Sequence, residues 1–173
     1  GFGSQNVVNN FISGIIMMIE RPVRVGDFIE VDGNTGTVEL IGIRATHLLT
    51  AENREVILPN SFFLEKAVIN WTLGDDTIRS DVTVGVGYDS DPKIVREALL
   101  SVCHNNLHVL KQPEPRVLFT DFGDNALIFK VHYWIRLNGD RVGIEVASDL
   151  RFAIEAEFRR LKVAVPFPQR DVH

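Results

Sequence analysis

The sequence predicts an α+β chain in four parts: an amphipathic helix, a small β unit, a β-α-β-β-α unit and an extended tail. Three observations predict it. Residues 1–19 carry no charge, yet they segregate polar and apolar side chains at helical spacing. Residues 23–72 break into short β-prone runs separated by turn residues. Beyond them the hydrophobic period switches between strand and helix in the order of a split βαβ arrangement.

The helix comes first. Val7, Val8, Phe11, Ile12, Ile15, Ile16 and Ile19 form an apolar stripe, and Asn6, Asn9, Asn10 and Ser13 form a polar one. A helix over residues 1–19 would be about 28 Å long, close to the thickness of a bilayer core. Gln5, Asn6, Asn9, Asn10 and Ser13 are nevertheless too polar to face hydrocarbon without partners. Gly3, Ser4, Ser13 and Gly14 are small and allow close helix approach. The pattern fits a helix packed on copies of itself with a polar stripe toward water, or an amphipathic helix on an oligomer surface or a membrane interface. Pro22 lacks a backbone donor and disfavours helical backbone at Arg21, so the helix should end there. Arg21 and Arg24 lie just past an apolar segment, which points to a cytoplasmic location for the chain beyond Pro22.

The β unit is next. Phe28–Val31 is a strand stopped by Asp32-Gly33-Asn34. The run 36–43 continues with Val38 and Leu40 on one face, and 44–50 comes after it almost without a break. Residues 51–54 make a turn, 55–58 form a strand, and Pro59-Asn60-Ser61 stops it, with Asn60 or Ser61 able to cap a short helical turn through Lys66. Val68–Trp71 is the last strand. Five short strands with tight turns predict a closed or nearly closed barrel.

Gly74-Asp75-Asp76 marks a boundary. Residues 77–86 read as a strand, and Ser90 or Asp91 caps a helix that begins at Pro92 and carries Ile94, Val95, Ala98, Leu99 and Val102 at helical spacing. Pro113-Glu114-Pro115 interrupts. Residues 116–122 and 126–137 form a hairpin about Gly123-Asp124-Asn125. Val146, Leu150, Ala153, Ile154, Phe158 and Leu161 mark a final helix over 142–161, with Arg151–Glu155 and Glu155–Arg159 as pairs on its wet face. Pro166 and Pro168 keep the tail 163–173 extended, so it needs a sheet or another subunit to pair with.

Composition narrows function. The chain has 173 residues, net charge −5, 45% hydrophobic and 24% charged residues, which is globular rather than disordered. It has no cluster of Lys and Arg interleaved with aromatics, so nucleic acid is not an expected partner. The single Cys103 sits in a helical pattern and reads as a small buried hydrophobe in a reducing compartment. His104 and His108 are four apart on a predicted helix but lack a third ligand, so no metal is expected. Asp75-Asp76 and Asp89-Ser90-Asp91 read as turn and cap residues, and Gly85-Val86-Gly87 lacks the rest of a dinucleotide site. No catalytic set and no cofactor site emerge. Gly1 opens the chain without a Met, as a fragment or a processed chain would.

One resemblance covers nearly the whole chain. Asn10, Gly14, Arg21-Pro22, Val25-Gly26-Asp27, Gly36-Thr37-Val38-Glu39, Ile41-Gly42, Arg44, Thr46, Val56-Ile57-Leu58-Pro59-Asn60-Ser61 and Asn70-Trp71, in this order and spacing, resemble the small-conductance mechanosensitive channel family. Pro166-Phe167-Pro168-Gln169-Arg170 resembles the end of many members. The resemblance implies that 1–21 is the end of a pore-lining transmembrane helix and 22–72 a small Sm-like β domain. It implies a ferredoxin-like domain over 73–162 and, over 163–173, a strand for a barrel between subunits. It further implies a homoheptamer in the bacterial inner membrane, with 22–173 cytoplasmic, opened by tension to release ions and small osmolytes on hypo-osmotic shock. Membrane lipid and permeating ions would be its other partners. Phe2 would belong to the hydrophobic constriction, Asn6 would stand at the pore-helix kink where members often have glycine, and Gly14 would be a second flex point. Gly3, Asn10 and Ser13 would pack pore helices together, and Arg21-Pro22 would couple pore to cage. The rival expectations are a soluble oligomeric scaffold with an N-terminal assembly helix, and an enzyme built on the ferredoxin-like unit.

Overall fold

A computed structural model describes residues 2–72, 75–137 and 143–166. They fall into two compact units, Gly1–Asp76 and Thr77–His173. Mixed helix and sheet is observed throughout.

In the first unit, helix α1 (Phe2–Glu20) precedes strands β1 (Phe28–Val31), β2 (Asn34–Ile41), β3 (Ala45–Leu49) and β4 (Glu55–Pro59), a single helical turn α2 (Phe62–Glu65) and strand β5 (Val68–Asn70). The strands form one antiparallel sheet in the order β4-β3-β2-β1-β5. Asp32 (φ 49°) and Gly33 (φ 78°) make the two-residue turn of the β1–β2 hairpin, a left-handed pair that matches the twist of the strands. The expected closed barrel is not found. β4 and β5 are the two sheet edges, β5 has three residues, and Pro59 at the end of β4 has no N–H to donate across a seam. A second expectation also needs correction. A bulge between Val38 and Leu40 shifts the β2–β3 register, so Val38 is buried while Leu40 turns outward. The core is Met17, Val23, Ile29, Val31, Val38, Leu48, Leu58 and Phe63.

The α1 helix ends at Glu20 as predicted, and Arg21 is left-handed (φ 52°). Its N–H bonds the Met17 carbonyl at 2.8 Å, closing the helix with an αL cap. The proline prevents the helix from continuing without forcing Arg21 into the β region.

The second unit runs β6 (Thr77–Val86), α3 (Pro92–Asn105), β7 (Arg116–Phe122), β8 (Leu127–Arg136) and α4 (Gly143–Leu161). The sheet order is β6-β8-β7, both pairings antiparallel, so β6 and β7 run parallel with β8 between them. Asp91 caps α3 by accepting from the Lys93 N–H at 2.9 Å, with Pro92 at the first helical position. Helix α4 closes on Lys162 (φ 57°), where the Val163 N–H reaches the Phe158 carbonyl at 2.8 Å. Alternate residues of β8 (Leu127, Phe129, Val131, Tyr133, Ile135) face a core shared with Val95, Leu99 and Val102 of α3 and Val146, Leu150 and Phe158 of α4. Of the tail, Ala164 accepts from the Gly87 N–H at 2.9 Å beside the end of β6. Residues 167–173, which include most of the proline-rich ending, lie outside the described residues.

Candidate functional site: the junction of the first helix and the first sheet

Among the described residues, the first unit buries three polar side chains, Ser13, Thr46 and Asn60, and all three belong to the place where α1 meets the sheet. Asn60 is the node. Its Nδ2 donates to the carbonyls of Gly42 (3.0 Å) and Ile43 (3.2 Å), in the bend between β2 and β3, with the Asn10 carbonyl of α1 at 3.5 Å. Its Oδ1 accepts from the Thr46 hydroxyl at 2.9 Å. The Asn10 side chain completes the tie: its Oδ1 accepts from the Ser61 N–H at 2.9 Å, and its Nδ2 donates to the Asn6 carbonyl at 2.8 Å. Buried polar groups need such partners, because an unmade hydrogen bond away from water costs about 1–3 kcal/mol.

Close approach makes this geometry. A Cβ on Gly14 would meet Asn60 Nδ2 at 2.8 Å and the Ile43 carbonyl at 2.9 Å. Gly14 therefore lies against the β2–β3 bend with no room for a side chain, and one turn further Met17 enters the core. The same helix face carries Asn10, Ser13, Gly14 and Met17. The polar stripe, expected to face water or other helices, thus packs in part on its own sheet. The apolar stripe is what remains bare: Val7, Val8, Phe11, Ile12, Ile15, Met18 and Ile19 are exposed.

A second knot holds the chain after Pro22. The Asn70 Nδ2 donates to the Pro22 carbonyl and to Asp27 Oδ2, each at 2.9 Å, while the same Asp27 oxygen accepts from the Arg24 N–H at 2.8 Å. Asn70 Oδ1 accepts from the Thr72 N–H and hydroxyl. Gly26 (φ 95°) takes the left-handed turn that brings its N–H to the Val38 carbonyl at 2.8 Å. The motifs Val25-Gly26-Asp27 and Asn70-Trp71 are therefore one hydrogen-bonded clasp around Pro22.

The sequence-predicted residues divide accordingly. Asn10, Ser13 and Gly14 gather at the junction, and Arg21 and Pro22 stand between the two knots. Gly3 and Asn6 are exposed, with nothing within 4 Å of a Cβ placed on Gly3. Phe2 begins α1, and its side chain lies outside the described residues. Sequence reasoning missed Asn60, Asp27 and Asn70 as ties. The sequence suggests Asn60 or Ser61 as a cap for α2, yet Ser61 makes no side-chain cap and the Asn60 carboxamide faces the β2–β3 bend. The signal was present: a carboxamide directly after an apolar run that ends in a proline.

No helix among the described residues is long and apolar enough to cross a membrane. No group of three or more His, Cys, Asp or Glu among them is placed to hold a metal ion. His104 is on the last turn of α3 and His108 lies beyond it, so the two do not share a helix face. His47 instead pairs with Glu55 across β3 and β4 at 2.6 Å. Burial pushes the Cys103 thiol up to about 11, which keeps it protonated and inert.

Two family models match, one described as the β-domain of mechanosensitive ion channels over residues 6–73 and one as the C-terminal part of the mechanosensitive ion channel MscS over 81–165. The chain is 41% identical over 141 residues to the mechanosensitive channel MscK of Escherichia coli, covering 82% of this chain and 13% of that protein. It is 32% identical over 168 residues to the miniconductance mechanosensitive channel MscM of Escherichia coli, covering 97% and 15%. It thus spans a small fraction of those relatives. Among solved structures it is similar to the closed state of Helicobacter pylori MscS, with a TM-score of 0.86 and 26% identity, covering 99% of this chain and 67% of that one. Arabidopsis thaliana MSL1 A320V shares the fold at a TM-score of 0.73 and 19% identity, covering 97% and 64%. That family comprises ion channels rather than enzymes. The chain belongs to the MscS family of mechanosensitive ion channels.

Proposed function

We propose that the chain is the end of the pore-lining helix and the cytoplasmic portion of a homo-oligomeric channel opened by membrane tension. The observation that carries this reading is the two-faced α1: one face is tied to its own sheet through Asn10, Gly14, Met17 and Asn60, and the other is an unpartnered apolar stripe. Such a helix can take load on its apolar side and deliver it to the sheet. Tension does more work on a state of larger cross-section, so it shifts the population toward the wider pore. Residues 1–21 are then the pore-helix end, with Phe2 in a hydrophobic constriction that gates by dewetting. Asn6, one turn before the tied segment, is the flex point, and Gly14 serves as the docking glycine. The exposed Gly3 lets neighbouring helices slide, the buried Ser13 packs on its own sheet instead, and Arg21-Pro22 is the coupling joint.

The rest of the proposal comes from family membership. The portion 22–72 is an Sm-like sheet domain and 73–162 a ferredoxin-like domain, which the strand orders support. Residues 163–173 supply a strand to an intersubunit barrel. The assembly is a heptamer in a bacterial inner membrane with 22–173 on the cytoplasmic side, passing ions and small osmolytes on hypo-osmotic shock. The soluble-scaffold alternative has no observation in its favour beyond the polar residues of α1.

The test is patch recording from liposomes holding the intact protein that carries this chain. Suction should open discrete channels, and Gly14→Val, which wedges α1 from the β2–β3 bend, should shift the opening tension or the rate of inactivation. Absence of any tension-gated current from the parent protein would sink the channel reading. A parent-like Gly14→Val channel would sink the load-bearing junction alone.

A further inference from the structure

Among the described residues of the second unit, helices cover one face of the sheet and leave the other bare. Helices α3 and α4 pack on the face carrying Val82, Phe129, Val131 and Tyr133. The opposite face places Arg116, His132 and Asp81 in one row across the three strands and Leu118, Lys130 and Thr83 in the next, with Arg79 opposite Trp134. Four cations, Arg79, Arg116, Lys130 and Arg136, share this face with two carboxylates, Asp81 and Asp121, the latter opposite Ile128 in the row after Lys130. The His132 imidazole registers the result: burial first, then Arg79, lower its pKa, Lys130 and Arg116 add to the effect, and Asp81 opposes it. A local excess of positive charge on a chain of net charge −5 leaves the remainder of its surface acidic.

One end of the same unit is its complement. The Tyr88 hydroxyl bonds the Gly123 carbonyl, which joins the loop after β6 to the β7–β8 turn. Beside this tie lie the exposed carboxylates of Asp89 and Asp124 in the two loops and the exposed aromatic rings of Tyr88 and, at the end of β7, Phe122.

We infer that the bare sheet face of one subunit docks the acidic, aromatic loop end of a second copy of this chain. Opposite charges steer and set the register of such a contact, and Arg over an aromatic ring adds to it. The two patches are complementary to each other and neither is complementary to itself. The contact is therefore head-to-tail, the kind that closes a ring rather than a two-fold pair. The inference rests on the homo-oligomeric part of the proposed function and adds to it which surfaces meet.

Charge exchange in the intact channel, purified in detergent, tests it. Arg116→Glu with Lys130→Glu should lower the ring fraction seen by native mass spectrometry about tenfold at a fixed low concentration, and Asp89→Lys with Asp124→Lys should do the same. All four changes together should restore it, because the charges are exchanged rather than lost. A second measurement serves if the membrane helices hold the ring regardless: Lys130→Cys with Asp124→Cys should form a ladder of covalent oligomers with a short bismaleimide. Neither single variant should do so, and buried Cys103 in the parent serves as the unreactive control. Losses that the fourfold exchange does not rescue, or an assembled ring that shows no ladder, overturn the docking. So does a ring indifferent to every charge change whose anion-to-cation permeability shifts instead, since the face would then line a water path. A monomeric parent would overturn the homo-oligomer as well, which separates the two failures.

Discussion

In the first unit eight apolar side chains form the core and three polar ones are buried beside it; in the second, seventeen hydrophobic side chains make the core and no polar residue among the described ones is buried beside it. Even the polar exception in the second unit is an apolar ring: the Tyr133 hydroxyl is buried with no hydrogen-bond partner among the described residues. The difference separates two jobs. Apolar burial is non-directional and supplies bulk stability. A hydrogen-bonded node such as Asn60 gives little net stability but has direction, so it selects one arrangement of helix and sheet. The second unit is built as a stable body and the first as a joint.

The largest effect should come from the body. Leu99 is fully buried on the core face of α3, so Leu99→Ala should remove about 3–4 kcal/mol of stability, read as a fall in urea midpoint. A loss below about 1 kcal/mol would mean that the core is looser than its burial says.

The joint should respond less and more specifically. Asn60→Ala leaves the Gly42 and Ile43 carbonyls and the Thr46 hydroxyl without their partner and should destabilise by about 2–3 kcal/mol. Thr46→Val on top of Asn60→Ala should cost less than Thr46→Val alone, because its hydroxyl is by then unpartnered. Strict additivity in that cycle would show that Thr46 and Asn60 do not act as one group.

The same contrast explains what the sequence could show. The second unit was legible because its signals are periodic and local: Asp91-Pro92 starts α3, and the alternation of β8 runs unbroken from Leu127 to Ile135. The joint was legible only as motifs. Asn60 and Asn10 are fifty positions apart, and nothing local says that a carboxamide in a proline turn will be buried against a helix glycine. Leu40 was misplaced for a related reason, since one bulged residue inverts the face of everything after it. The barrel was over-read because five strands and tight turns do not determine whether the two edges meet.

Arg21 sharpens the joint from the opposite direction. It holds a left-handed backbone (φ 52°) that a side chain disfavours and glycine does not. Arg21→Gly should therefore raise stability, by less than about 1 kcal/mol, since glycine also gains freedom in the unfolded chain. A clear fall in the urea midpoint would show that the Arg21 side chain contributes a contact that outweighs the strain.

The smallest effect belongs to the body's bare face and is one of pH. His132 is faced by Arg79, Asp81, Lys130 and Arg116, and its pKa in the folded chain lies below the ordinary 6.5. The unfolded chain therefore takes up this proton first as pH falls. Stability from His132 is intact above pH 6.5, declines as pH drops below it, and levels off once the folded imidazole also protonates. Urea midpoints measured from pH 7.5 to 5 should fall less steeply in His132→Gln than in the parent. Arg79→Gln should reduce the slope as well, because it removes the strongest opposing cation. A parent and a His132→Gln variant with the same slope would mean that the cations on this sheet face are screened, and with them the field on which subunit docking through that face depends.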